Sequence, residues 1–362
     1  MKKHNRRSGE RKKIQPILTI GMDLGDKTSR YCVLEDSEVV EERSVATTRK
    51  GLRQGFGARR RCRIALEVGT HSPWVSRLLS SLGHEVIVAN PRQLQLITQS
   101  SRKDDKVDAK TLARLARIDP ELLRPIRHRS EKAQLDLMQI RVRAQLVETR
   151  TGLVNSVRGL AKSVGERVPS CDPDSLNMVR LEGLPEPLQG VLNPLVEQVE
   201  SLTEQIREAD RKLEQIARSE YPETQLLEQI YGVGTLIALT FVLTVEDRHR
   251  FRKSREVGCY VGLRPKRSQS GDREPELSIT KEGDVYLRKL LVQGAHRIVH
   301  PRAPDTDLKR WGVKLASRGG KNAKKRAIVA VARKLAILLH RLWVTGEVYE
   351  PLGYGQVRAV AA

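Results

Sequence analysis

Between Ile17 and Asn90 the chain carries four short aliphatic runs, ILTIGMDLG, RYCVLED, RIALEVG and EVIVAN. Their β-branched and aliphatic residues, separated by Gly, Pro or charge, are the pattern of buried strands. From Pro73 to Gly83 the apolar positions Val75, Leu78, Leu79 and Leu82 fall at helical spacing, so strand, helix and strand alternate. A chain alternating in this way folds as a mixed α/β layer, and the helix DAKTLARLARI, which begins near Asp105, completes it.

After residue 131 the strand signal is lost. Leu135, Met138, Val142, Leu146, Thr149, Leu153, Val157 and Leu160 line one face of a helix. A break rich in Pro, Gly and Asp follows at 165–190. Leu195, Val199, Leu202, Ile206, Ala209, Leu213 and Ile216 then alternate steps of four and three, the seam of a coiled coil. An antiparallel hairpin within the chain or a partner protomer satisfies that seam equally well. From Tyr221 onward the chain reads as helices and basic loops, among them RHRFRKS, a basic turn at 262–273 and a Lys- and Arg-rich lead-in at 317–326. The expected organisation is a basic arm over 1–14, an α/β domain over 15–128, a helical coiled-coil segment over 129–220 and a mainly α-helical domain over 221–362.

A formal net charge of +22 over 362 residues points to a polyanionic partner, because neutralising phosphates releases counterions. Residues 1–14 alone hold seven Lys or Arg against one Glu, the composition of a disordered arm lying on nucleic acid. No apolar run reaches the ~18 residues of a spanning helix, and the basic start lacks the apolar stretch of a signal peptide. No membrane association and a cytoplasmic, nucleoid-associated location are therefore expected. Cys32, Cys62, Cys171 and Cys259 are scattered without metal-binding spacing and read as reduced thiols.

Within this basic chain four carboxylates occupy special positions. Asp23 and Glu67 each end a strand before a Gly turn, and Asp105 and Asp108 stand three apart at the start of a helix. Three elements thus supply four hard oxygen donors, which suit Mg2+ or Mn2+ and metal-assisted chemistry on a phosphodiester. Taken singly, each acid is as well explained by capping or turn formation. DLGDKT also has the look of a kinase phosphate loop, but no second phosphate loop or adenosine-binding Gly pair follows. The other nucleic-acid contacts expected are Arg264, Lys266, Arg267, Arg273, Lys281, Lys324, Lys325 and Arg326. On composition alone the turn GLRPKRSQSGDRE, with Ser268 and Ser270, is a solvated loop that touches DNA.

GMDLGDKT, LEVGTHSPW with Asn90-Pro91, and KDDKVDAKTLA resemble the N-terminal domain of the DEDD insertion-sequence transposases, the family numbered one hundred and ten. YGVGTLIALTFVLTVEDRHRF, CYVGLRPKRSQSGD, ITKEGDVYLRKLL and AIVAVARKLAILLHRLW resemble its second domain. The resemblance implies an RNase H-like, RuvC-like domain holding divalent metal on Asp23, Glu67, Asp105 and Asp108. It also implies a coiled-coil linker and a helical domain whose serine attacks DNA. That serine precedes a Gly in the family, which maps it to Ser270, with Ser268 second. The implied partners are double-stranded DNA at element ends and target, a guide (bridge) RNA in some members, and a homodimer or homotetramer. Asp284 departs from the family's usual Asn after Lys281-Glu282-Gly283. A hydrolytic junction nuclease would need only the acids, and a non-enzymatic nucleic-acid binder would need neither acids nor serine.

Overall fold

The computed structural model describes residues 18–90, 105–268 and 277–353, with the backbone alone for 105–107. The basic arm over 1–14 lies outside the described residues. The chain divides into two compact units, residues 1–131 and 132–362.

The first unit is a five-stranded sheet in the order β3-β2-β1-β4-β5. Its strands are β1 (Thr19–Asp23), β2 (Thr28–Glu35), β3 (Glu38–Ala46), β4 (Arg63–Glu67) and β5 (Glu85–Ala89). The meander β1 to β3 is antiparallel, whereas β4 lies parallel to β1 and β5 parallel to β4. The four aliphatic runs become β1, β2, β4 and β5. The strand with no such run, β3, is the sheet's edge, where only Val39, Glu41 and Val45 are half-buried and Glu38, Glu42 and Arg43 face water. Charge on an edge strand discourages pairing with another sheet, which is why its sequence does not read as a buried strand.

Alternation along the strands divides the sheet into two faces. Ile20, Met22, Ile64 and Leu66 pack with Leu52 and Phe56 of α1 (Arg49–Phe56) and with Val75 and Leu79 of α2 (Ser72–Ser81). On the other face Ala65, Ile87 and Ala89 meet Leu112 and Ala116 of α3 (Asp105–Ile118), and Cys32 and Leu34 meet Ala109 and Ala113. Gly21 lies under α3 so closely that an added Cβ would stand 1.9 Å from the Ala109 carbonyl oxygen. His84 contacts Cys62 Sγ at 3.2 Å through Nδ1, and burial pushes that thiol up to about 11. A thiol held protonated in this way is a poor nucleophile.

The second unit opens with two long helices, α4 (Glu131–Ser163) and α5 (Glu186–Glu220), joined by a connection with two 3-10 turns. They run antiparallel. Leu137 and Ile140 pack with Leu213 and Ala217, the Arg143 guanidinium grips Asp210 at 2.8 and 3.0 Å, and Val154, Val157 and Ala161 pack with Leu192, Val196 and Val199. The buried face of α5 is Leu192, Val196, Val199, Thr203, Ile206, Leu213 and Ala217, so of the seam expected from the spacing Val199, Ile206 and Leu213 are buried while Leu195, Leu202, Ala209 and Ile216 are half-buried. On α4 the buried face differs from the one the spacing suggests. Ala133, Leu137, Ile140, Val154, Val157 and Ala161 are buried, while Leu135, Met138, Val142 and Leu160 are exposed.

Among the described residues six further α-helices follow, α6 (Glu223–Glu228), α7 (Thr235–Val245), α8 (Val257–Tyr260), α9 (Val285–Val299), α10 (Asp307–Ala316) and α11 (Ala323–Thr345), with one 3-10 turn at Ser254–Glu256. They enclose a common core that includes Phe241, Leu291, Leu335 and Trp343. From Ile237 to Val245 the helix α7 is buried all round, which accounts for a sequence that carries no charge and, besides apolar residues, only Thr. His340 anchors the basic loop before α8. Its Nε2 lies 2.9 Å from the Arg248 carbonyl oxygen, so that nitrogen carries the proton, and Nδ1 accepts from Ser254 Oγ at 3.0 Å. Burial pushes the His340 pKa down, which keeps the ring in this neutral form.

Candidate carboxylate site and basic turn

Two of the four acids singled out in the sequence, Asp23 and Glu67, stand at neighbouring strand ends of the first sheet, and a third, Asp108, lies in the first turn of the helix that covers that face. In the parallel register of β1 and β4, Met22 stands beside Leu66, so Asp23 and Glu67 leave neighbouring strands at their C-terminal ends. By alternation both lie on the face of Gly21 and Ala65, the face that α3 covers. The helix runs opposite to these strands. Arg63, at the start of β4, donates from Nη1 to the Ala116 carbonyl near the end of α3 at 3.1 Å, and Gly21 sits under Ala109 nearer its beginning. The first turn of α3, with Asp108 in it, therefore lies toward the edge that carries Asp23 and Glu67. Asp23, Glu67 and Asp108 are each half-buried. Asp105 is the first residue of the helix, and its side chain is outside the described residues.

All of these donors are carboxylate oxygens, the ligand type that hard divalent cations select, and the chemistry of the set fits Mg2+ or Mn2+. Among the described residues no group of three or more His, Cys, Asp or Glu side chains is assembled to hold a metal ion.

A second set of residues ties the surrounding loops, and only a faint sign of it is present in the sequence. Trp74 Nε1 donates to His71 Nδ1 at 3.2 Å, so His71 carries its proton on Nε2 and donates it to Asp26 at 3.2 Å. Asp26 lies in the turn after Asp23, and His71 in the loop after Glu67, so this chain joins the two loops that follow the strand-end acids. The Ser72 hydroxyl donates to the Gly69 carbonyl at 2.8 Å and receives the Gly69 amide at 3.0 Å, closing the same loop on itself. The signal available in the sequence was the cluster THSPW directly after the Glu67 strand.

In the second unit the basic turn is held by a short backbone ribbon. Pro265 pairs with Ile279, Lys266 N donates to Ser278 O, Thr280 N to Arg264 O, and Lys281 N to Gly262 O. Gly262 and Gly283 both have positive φ, and each would drive a Cβ into facing backbone at 2.0 Å, Glu282 O for the first and Tyr260 O for the second. Arg288 Nη1 donates to the carbonyls of both Val261 and Glu282. Ser268 is exposed, while Ser270 and Arg273 lie outside the described residues. Arg264, Lys266, Arg267, Lys281, Lys324, Lys325 and Arg326 are all exposed. Asp284 caps α9, accepting from Leu287 N at 2.8 Å, and pairs with Arg141 at 3.1 Å. Its cap function explains why a short side chain with an acceptor oxygen occupies that position.

Lys266, Arg267, Lys325 and Arg326 line one groove of about 1030 Å3, together with Arg333 and Lys334 of α11 and with Trp311. Sequence reasoning assigned no role to the last three. The signal for Arg333 and Lys334 was the spacing 326, 329, 330, 333, 334 and 337 on α11, a single helical face in which cations replace some of the apolar residues a fully buried face would carry, whereas Trp311, on α10, stands in the sequence only as a lone aromatic near apolar residues.

A family described as Transposase, of the DEDD type, matches residues 20–165, and one described as Transposase IS116/IS110/IS902 family matches residues 224–309. The transposase for insertion sequence element IS1111A of Coxiella burnetii (strain RSA 493 / Nine Mile phase I) is 28% identical over 352 residues, covering 94% of this chain and 93% of that protein. A probable family 20 transposase of Pseudomonas aeruginosa is 28% identical over 342 residues, 92% of this chain and 98% of its own length. The putative transposase y4pF/y4sB of Sinorhizobium fredii is 30% identical over 292 residues, 79% of this chain and 74% of its own length.

Proposed function

Because this chain belongs to the IS116/IS110/IS902 family of transposases, we propose that it moves an insertion sequence by cutting and rejoining DNA through a phosphoserine intermediate on Ser270. The observation that carries the reading is the placement of Asp23, Glu67 and the Asp108 turn of α3 at one sheet edge. The strand order β3-β2-β1-β4-β5, antiparallel and then parallel, supports an RNase H-like, RuvC-like domain. Asp23, Glu67, Asp105 and Asp108 would hold Mg2+ or Mn2+, which supplies charge neutralisation at the scissile phosphate when bound.

The serine step balances without an external energy source. Ser270 Oγ bonds to phosphorus as the P–O3′ bond breaks, and the hydroxyl proton passes in net terms to the leaving 3′ oxygen. A 3′ hydroxyl from another strand then attacks the phosphoserine, the P–Oγ bond breaks, and the serine regains a proton. The cations of the basic turn, Arg264, Lys266, Arg267 and Arg273, stabilise charge on the phosphate. Lys281, Lys324, Lys325 and Arg326 contact the nucleic-acid backbone. A structured guide RNA, pairing with the DNA, chooses the sites and shares the polyanion-binding surface that the +22 charge provides. The protein acts on nucleoid DNA in the cytoplasm. Among the described residues no helix is long and apolar enough to cross a membrane.

Acids and serine on different units are best served by more than one protomer. The exposed row Leu135, Met138 and Val142 on α4 supports a homodimer or homotetramer, since burying such side chains stabilises association. The triple variant Leu135→Glu, Met138→Glu and Val142→Glu is expected to shift the protein to monomer in analytical ultracentrifugation with its helical circular dichroism retained.

The reading is tested by incubating protein with element DNA, denaturing, and mapping any DNA covalently attached to a peptide. An adduct on Ser270 supports the phosphoserine route. Cleaved ends without an adduct would make the protein a hydrolytic nuclease instead.

A further inference from the structure

The groove in the second unit joins two properties that seldom occur together. Seven of its lining side chains are Lys or Arg, and none of the described lining residues is Asp or Glu. Beneath this charge lie apolar side chains, Leu263, Ile279, Trp311, Val329 and Ile337, of which Leu263 is fully buried and the others half-buried. Lys334 Nζ stands 4.5 Å from the Trp311 ring centroid, so a cation fixes the indole at the groove wall. Arg333, on the same wall, has a buried Nε with no hydrogen-bond partner among the described residues.

A polyanion alone explains the rim but leaves the apolar floor wet. A paired duplex presents phosphates outward and keeps its base faces stacked inside, so it engages cations and gains nothing from Trp311, Ile279 or Val329. An unpaired nucleotide brings a phosphate and an exposed π-face on one unit, and a basic groove with apolar or aromatic walls is the complement of such a strand. The ribbon places the groove at the feet of the basic turn, since Pro265 to Arg267 line it from one side of that turn and Leu277 to Ile279 from the other.

We infer that this groove binds an unpaired nucleotide of a nucleic-acid strand, its base against the Trp311, Ile279 and Val329 floor and its phosphates on the Lys and Arg rim. The inference deepens the proposed function and rests on it for the class of ligand. A strand end or bulged position held here would be kept out of the stack next to the turn that carries Ser270, and the groove would favour locally opened substrates over fully paired ones.

The test uses the full chain carrying Ser270→Ala, in EDTA, so that neither cleavage nor metal enters the measurement. Fluorescence anisotropy compares a labelled duplex containing one unpaired 2-aminopurine nucleotide with the same duplex fully paired. Roughly tenfold tighter binding of the unpaired substrate is expected, in line with the stacking of one base, together with a change in 2-aminopurine emission. Ala330→Trp on one wall and Ser278→Trp on the other fill the groove without removing a cation, and thermal melting establishes that each is folded. The inference stands if the preference exists and a folded groove-filling variant loses it while still binding the paired duplex. It is overturned if the two duplexes bind alike, or if the preference survives in both filled variants. Absence of a Ser270 adduct in the separate cleavage experiment would defeat the serine mechanism and leave this binding result untouched.

Discussion

Asp23→Asn is expected to lower strand transfer roughly a thousandfold, the scale on which loss of one preorganised electrostatic group acts, with little change in melting temperature. The substitution keeps the size and shape of a half-buried side chain at the end of β1 and removes only its charge. Under the proposed function that charge, beside Glu67 on the neighbouring strand, is what would attract a divalent cation to the edge. Asp26→Asn is the internal comparison. Asp26 sits three residues on, is 89% exposed and serves as acceptor for His71, so its loss loosens a loop and leaves the carboxylate edge its charge. Measured together in a recombination assay, Asp23→Asn should remove activity and Asp26→Asn should retain most of it. Equal retention by both would dissociate the carboxylate edge from the reaction.

Gly21→Ala is the largest expected effect on the fold. The added methyl would stand 1.9 Å from the Ala109 carbonyl oxygen and 2.5 Å from the Ala113 nitrogen, both backbone atoms of α3. No rotamer relieves such a contact, so either the helix lifts from the sheet or the strand shifts. Overpacking of this kind costs about 3 kcal/mol or more, equivalent to a fall of more than about 10 °C in the melting temperature of the first unit. Scanning calorimetry of the intact chain should show this loss in one transition with the other near its original position. Activity should fall further than stability alone requires, because lifting α3 withdraws Asp108 from Asp23 and Glu67.

The sheet and the strand-end positions of Asp23 and Glu67 were legible in the sequence for one shared reason. Buried parallel strands need unbroken aliphatic runs, and a charged residue that ends such a run before Gly marks a strand terminus, as Asp23 and Glu67 do. The edge strand β3 was not legible, because its half-exposed surface alternates charge with Val39 and Val45. Nor was the packing side of α4. A helix with apolar residues on two faces does not reveal in its spacing which face is covered, and here the covered face carries Ala133, Leu137, Ile140, Val154, Val157 and Ala161. Lys266, Arg267, Lys325 and Arg326 were visible as charge, but their meeting in one groove depends on the ribbon and on the packing of α10 against α11. The link from Asp26 through His71 to Trp74 joins residues 48 positions apart at its ends, and no local pattern announces it.

The backbone ribbon beneath the basic turn also bears on how such proteins diverge. Gly262 and Gly283, clamped by Arg288, fix where the chain leaves the helical core and where it returns, whatever lies between. Either anchoring glycine therefore resists replacement, whereas exposed residues of the ribbon such as Lys266 and Ser278 can be exchanged at little thermodynamic cost to the helices. The unit can retune what it presents to a substrate without having to refold around it.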